Sequence, residues 1–233
     1  MVLCLAILAT LALTGNAYAA EKSTGSLPGL TKADGVPIYF AQETPESVKA
    51  DVLSTYRTLP ESVMHEIRIS DFHYIVLPSV KTGIVPEFKA SGYSIAGEVL
   101  PLSYTVYSSG AVTHSRFACV ILYDCVGSTT PGNVMLHETG HMLHTCTLMY
   151  GSCTQGYSEG FINLANQYQS VLSGYDLNAS VNTYSNAEIF AESMRVYLSN
   201  PEWLKTNCPG LADYMGGFLA KLPAKAKATG NPR

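Results

Sequence analysis

The stretch "NVMLHETGHMLH", residues 133–144, carries two histidines, His137 and His141, four positions apart, with Glu138 directly after the first. Residues four apart on an α-helix share one face, so such a helix offers two imidazoles to one ion and holds a carboxylate beside it. That spacing is used by zinc peptidases, in which the glutamate acts as general base. Five residues are a short pattern, and a buried helix with two hydrogen-bonded histidines would read the same way. The surrounding sequence decides which reading is the better one.

After Pro131 the sequence has a helical texture. The segments "SEGFINLANQYQSVL" (158–172) and "NAEIFAESMRVYLS" (186–199) read as two further helices, and Pro201-Glu202-Trp203 restarts another. Before Pro131 the texture differs. Thr44-Pro45-Glu46 opens a helix with a capping hydroxyl, a proline in the first turn and then an acid, running to about Thr58. Pro60-Glu61-Ser62 starts a second, short helix. "FHYIVL" (72–77) is a strand by its aromatic and β-branched content. Residues 93–99, 104–107 and 117–123 are further strand candidates between Pro, Gly and Ser turns. Helices, then strands, then helices predict an α+β fold, with a mixed lobe over about residues 32–130 and a helical lobe over about 131–225.

At the other end of the chain, Leu3–Leu13 is an apolar run followed by Gly15-Asn16 and the small-x-small site Ala17-Tyr18-Ala19. This reads as a secretory signal (1–19) cleaved after Ala19, although no Lys or Arg precedes the run. It is shorter than the roughly 20 apolar residues of a membrane span; a buried N-terminal helix is the competing reading. Residues 20–233 then form a single domain, with Glu21 to Thr31 as a loose arm. The net charge is −4, which argues against nucleic acid or an anionic membrane as partner, since both need a basic face. Export also suits disulfides. Once Cys4 leaves with the signal, Cys119, Cys125, Cys146, Cys153 and Cys208 remain. The pairs nearest in sequence are Cys119–Cys125 and Cys146–Cys153, and an odd number leaves at least one thiol out. No C-x-x-C pair supports a cysteine zinc site. Asn178-Ala179-Ser180 is a glycosylation sequon.

A catalytic zinc site needs a third protein ligand and an open position for water. His144 shares the helix of the first two, and three successive histidines along one helix diverge; packing or outer-sphere support suits it better. His114 is isolated. Glu159 follows His141 by eighteen positions, close to the spacing of peptidases whose third ligand is a glutamate on the next helix. Glu188 is the other candidate. Glu192 lies one turn beyond it, so one carboxylate can bind the ion while the other orients a ligand histidine by accepting its second N–H. Residue composition alone leaves Glu159 and Glu188 open.

The segment "MLHETGHML", followed by "NAEIFAESMRVYLSNPEWL", resembles the catalytic domain of the anthrax lethal factor-like family, zincin metallopeptidases that include small secreted Pro-Pro endopeptidases. The resemblance spans roughly Asn133 to Tyr214, and its specific part is the E-x-F-A-E helix with the downstream Asn-Pro. It implies a zincin-like α+β fold, with an N-terminal helix and twisted-sheet lobe, a C-terminal helical lobe and the active site between them. It also implies His137, His141 and Glu188 as ligands of one Zn2+ per chain, Glu138 as base and Glu192 behind the ligands. Relatives usually carry a tyrosine seven residues before the third ligand to stabilise the oxyanion. Here that position is Val181, and Tyr184 is the nearest substitute. The function so implied is a secreted, monomeric zinc endopeptidase acting on a protein or peptide substrate, with no nucleic acid or membrane partner. The substrate is expected to lie along an edge strand before the metal helix, with "SGYSIAG" (91–97) as a rim. The competing reading is a secreted zinc-containing binding protein or inactive homologue that engages a host or cell-surface partner. The retained Glu138 argues against it, because a structural site has no use for a base.

Overall fold

A computed structural model describes residues 29–70, 72–85, 96–102, 107–108, 111–112, 116–127, 129–149, 157–175 and 185–222. The expected signal, most of the N-terminal arm, His114, Cys153, Asn178, Val181 and Tyr184 lie outside these residues.

Seven strands and seven helices are formed by the described residues: β1 (Leu30–Lys32), β2 (Ile38–Ala41), α1 (Glu46–Arg57), α2 (Glu61–Ile69), β3 (His73–Leu77), β4 (Gly97–Leu102), β5 (Tyr107–Ser108), β6 (Ala111–Val112), β7 (Arg116–Leu122), α3 (Pro131–Met149), α4 (Glu159–Ser173), α5 (Asn186–Ser199), α6 (Pro201–Asn207) and α7 (Pro209–Lys221). Five strands form one sheet in the order β1-β2-β3-β7-β4, while β5 and β6 pair as a separate ribbon. The centre is parallel, with β2 beside β3 and β3 beside β7; the flanking strands β1 and β4 run antiparallel. The β2–β3 connection holds α1 and α2, as a parallel pair requires a long crossover.

Alternation along the strands divides the core in two. Tyr74, Val76, Cys119 and Ile121 face the helices, in one cluster with residues of all seven. Ile75, Leu77, Ala118, Val120 and Leu122 face the other way, with Ala41 and Val85. This is the α+β arrangement of a sheet-and-helix lobe followed by a helical lobe, α3 to α7. Among the described residues, no helix is long and apolar enough to cross a membrane.

Of the two cysteine pairs nearest in sequence, Cys119–Cys125 is not bonded. Cys119 and Cys125 are both free, as is Cys208. Cys119 points into the helix-side core, whereas Cys125 packs on the opposite cluster, so the sheet separates the two sulfurs. The side chains of Cys146 and Cys153 fall outside the described residues.

Candidate metal centre

The centre is built on α3, and α3 is fixed at both sides. Its first turn is capped by the Thr130 hydroxyl, which accepts from Asn133 N at 3.2 Å, with proline at the first helical position. Gly132 N donates to Asp51 Oδ2 of α1 at 2.7 Å. A Cβ on Gly132 would stand 2.3 Å from Thr55 Oγ1, so glycine is what lets α3 begin so close to α1. Further along, Tyr74 donates from its hydroxyl on β3 to Thr139 Oγ1 at 2.7 Å, and Thr139 donates to Met135 O. These bonds tie the metal helix to the centre of the sheet.

The opposite face of α3 meets α5 at a glycine. A Cβ on Gly140 would lie 2.6 Å from Ala191 Cα and 3.0 Å from Ala191 O. Glycine against alanine lets the two backbones approach closely enough for Glu188 to reach the histidines of α3. Ser185 caps α5 and accepts from Glu188 N at 3.2 Å. A glutamate three residues after a capping serine often turns back onto the cap. Here the Glu188 carboxylate instead lies on His137 and His141.

Three side chains converge, the carboxylate facing one imidazole with each oxygen. His141 Nε2 is 3.2 Å from His137 Nε2, His137 Nε2 is 3.2 Å from Glu188 Oε2, and His141 Nε2 is 3.4 Å from Glu188 Oε1. Metal–donor bonds of about 2.0–2.1 Å at tetrahedral angles put donors about 3.3 Å apart. The residues present therefore fit a zinc ion, with three protein ligands and a fourth position left to water or substrate. His137, His141 and Glu188 form a metal-competent group among the described residues. Glu159, the alternative third ligand, is exposed at the first turn of α4 and is not part of that group.

Charge accumulates around the ligands. Burial alone would lower the His137 pKa, but bonds to Glu188 and Glu192 outweigh it and push the imidazole up to about 10. Burial would raise Glu188, yet His137 and His141 hold its carboxyl well below the usual carboxylate range. A bound metal must displace the His137 proton. Behind the ligands, His137 Nδ1 is 3.1 Å from Glu192 Oε2. Donating Nδ1–H to that carboxylate leaves the Nε2 lone pair for the ion. Burial also opposes charge on Glu192, but hydrogen bonds from Arg195 and His137 bring it down to about 2.

Glu138 is buried at the helix face beside the ligands, 5% exposed. The flanking strand β4 passes directly over it: a Cβ on Gly97 would lie 2.9 Å from Glu138 Oε1 and 2.7 Å from Val134 Cγ1. His144 takes a packing role, its ring stacked on Tyr157 at 4.0 Å and tilted on Phe190 at 5.3 Å. Three further contributors complete the centre: Gly97 ends the expected rim 91–97, while Gly140 and Arg195 escaped the sequence reading. Gly140, within the motif itself, and Gly97 act by having no side chain. Arg195 stands three residues after Glu192, a spacing that brings two side chains together on a helix.

No protein-family model matches the chain, and no curated protein matches it. Among solved structures, the chain is similar to the Pro-Pro endopeptidase PPEP-2 from Paenibacillus alvei. The two share 19% identity over 78% of this chain and 96% of that one, with a TM-score of 0.52. At that identity the likeness speaks to the fold. Fold and ligand set together define a zincin metallopeptidase: a His/His/Glu zinc centre with a glutamate base beside it.

Proposed function

We propose that the chain is an exported zinc endopeptidase of the lethal factor-like family, in which His137, His141 and Glu188 hold one Zn2+ and Glu138 is the general base. One observation carries this reading: three side chains from two helices converge at tetrahedral spacing, with Glu138 between them and the flanking strand. Zinc bound there supplies a Lewis acid for the scissile carbonyl and a water acidified to near neutrality. Glu138 takes the proton of the attacking water and delivers it to the leaving amine. Glu192 keeps the His137 ring in the tautomer that presents Nε2. Tyr184 donates a hydrogen bond to the oxyanion, and its loss as Tyr184→Phe costs about 100- to 1,000-fold in rate.

The substrate lies extended along β4. Its inner side pairs with β7, its outer side pairs with no other described strand, and Gly97 brings it over the base. Backbone hydrogen bonds to such an edge hold a peptide irrespective of much of its sequence. The fold likeness to a Pro-Pro endopeptidase makes proline-containing peptides the first substrates to try. Residues 20–233 act as one domain and as a monomer after removal of the leader.

The test is zinc stoichiometry with a peptide digest read by mass spectrometry. Wild type should hold one zinc per chain and cut backbone bonds. Glu138→Gln should keep the zinc and lose cleavage, because the ligands remain while the base is gone. Glu188→Ala should lose both, and Glu159→Ala neither. A wild type that takes up no zinc, or a Glu188→Ala protein that keeps it while Glu159→Ala does not, would overturn the assignment.

A further inference from the structure

We propose that Arg195 is a positioning residue for the metal centre, acting on His137 through Glu192, and that Tyr175 holds Arg195 in place from outside the helix. The inference rests on the zinc-site reading above. Glu192 is 4% exposed and Arg195 6% exposed in their side chains, so both charges are withdrawn from water. Arg195 binds the carboxylate with both arms of its fork: Nε donates to Glu192 Oε2 at 2.8 Å, and Nη2 donates to Glu192 Oε1. The same Oε2 faces His137 Nδ1 at 3.1 Å. A two-armed guanidinium contact fixes the plane of the carboxylate, not merely its charge. That plane sets the direction from which His137 is held, and hence where Nε2 points.

The guanidinium is itself held. Its carbon lies 5.4 Å from the centroid of the Tyr175 ring. Tyr175 follows α4 and is anchored twice: its hydroxyl accepts from Asn200 Nδ2 at 3.2 Å, and its ring tilts on Trp203 at 4.2 Å. Asn200 caps α6, accepting from Trp203 N at 3.2 Å. The Asn-Pro junction between α5 and α6 is thereby linked to the metal centre through Tyr175, Arg195, Glu192 and His137. Lysine could supply the charge at position 195 but not the fork.

The experiment measures zinc affinity by chelator competition, with circular dichroism as the check on folding, for wild type, Arg195→Met, Arg195→Lys, Tyr175→Leu, Glu192→Gln and the double variant Glu192→Gln/Arg195→Met. Loss of such supporting contacts typically costs about 10- to 100-fold in metal affinity, and that loss is expected for Arg195→Met. Arg195→Lys should recover only part of it. Tyr175→Leu should lose about 2- to 5-fold, the size of one cation–ring contact. Arg195→Met leaves Glu192 buried without its counter-ion; should that variant not fold, the double variant, which removes both charges, still reports. If Arg195 acts through Glu192, the double variant binds zinc no more weakly than Glu192→Gln alone. Wild-type affinity in folded Arg195→Met overturns the proposal, as does a further tenfold loss in the double variant. The site reading fails separately: wild type would then bind no zinc, or His137→Ala would bind it undiminished.

Discussion

At the scale of single residues, the absence of a side chain is as consequential as its presence. Gly97 stands where a methyl group would meet both Val134 and the carboxylate of Glu138. The Glu138 end can give way, but only by moving the oxygen that must meet the attacking water. A displacement of about 1 Å in a reacting group can cost on the order of 100-fold. Gly97→Ala is therefore expected to lower kcat about 10- to 100-fold on a cleavable peptide, while zinc stoichiometry stays at one per chain. Equal kcat in the variant would remove Gly97 from the base's surroundings. His144 gives a prediction of a different kind. Burial, with the neighbouring His141, lowers its pKa from 6.5 to about 4. The unfolded chain then binds the proton between those values and the folded chain does not. His144 therefore costs stability as pH falls from 6.5 towards 4 and has no effect above that window. His144→Phe keeps a ring against Tyr157 and Phe190 but cannot titrate. The gap in melting temperature between wild type and variant, both metal-free, should shift in favour of the variant as pH drops from 7 to 4.5. A gap independent of pH would exclude the titration.

At the scale of elements, the pair α3 and α5 makes the site, and its closeness depends on Gly140 over Ala191. Two effects oppose each other in Gly140→Ala. Helix propensity favours alanine by about 1 kcal/mol, while forcing a methyl group into a packed contact costs about 1–3 kcal/mol. The obstructing atoms are the backbone of Ala191 at 2.6 and 3.0 Å, which cannot swing aside as a side-chain end does, so overpacking wins. Gly140→Ala should melt lower, by up to about 8 °C, and bind zinc more weakly, because α5 carries Glu188 and Glu192 away from the histidines. Tighter zinc binding would show that the helices are not at their limit of approach. This element pair was largely legible in the sequence. The helix of residues 186–199 is formed as expected, and the spacing of Glu188 and Glu192 pointed to their shared face. The sequence did not reveal the reason the helices meet, since a glycine inside a metal motif resembles any other variable position. Nor did it reveal β1 and β2, which are short, or α7, whose Gly-containing sequence weakens its helical signal.

At the scale of the whole molecule, the ion joins pieces that the chain leaves far apart. His137 and His141 are fixed to the sheet through Tyr74 and Thr139, whereas Glu188 belongs to the helical layer beyond α3. The α+β order and the two histidines could be read locally, because periodicity and motif spacing are local. The choice of Glu188 over Glu159 could not be read from spacing, because both carboxylates stand at plausible positions along a helix and tertiary packing chooses between them; only the resemblance of the E-x-F-A-E segment pointed to Glu188, which is the one beside the histidines. The cysteine pairing was open in the sequence for the same reason: nearness in sequence says nothing about which face of the sheet each sulfur takes, and Cys119 and Cys125 are both free. A ligand set drawn from two separate helices, α3 and α5, makes zinc a contributor to stability. At a free concentration of about 100 times Kd, binding adds about 2.7 kcal/mol, which for a chain of this size raises the melting temperature by about 5–10 °C. Wild type and Glu138→Gln should both show that rise on adding zinc and lose it with chelator, since neither lacks a ligand. Glu188→Ala, with the same two histidines still on α3, should show little of it. A full shift in Glu188→Ala would mean that α3 alone holds the ion and that α5 closes over it without taking part.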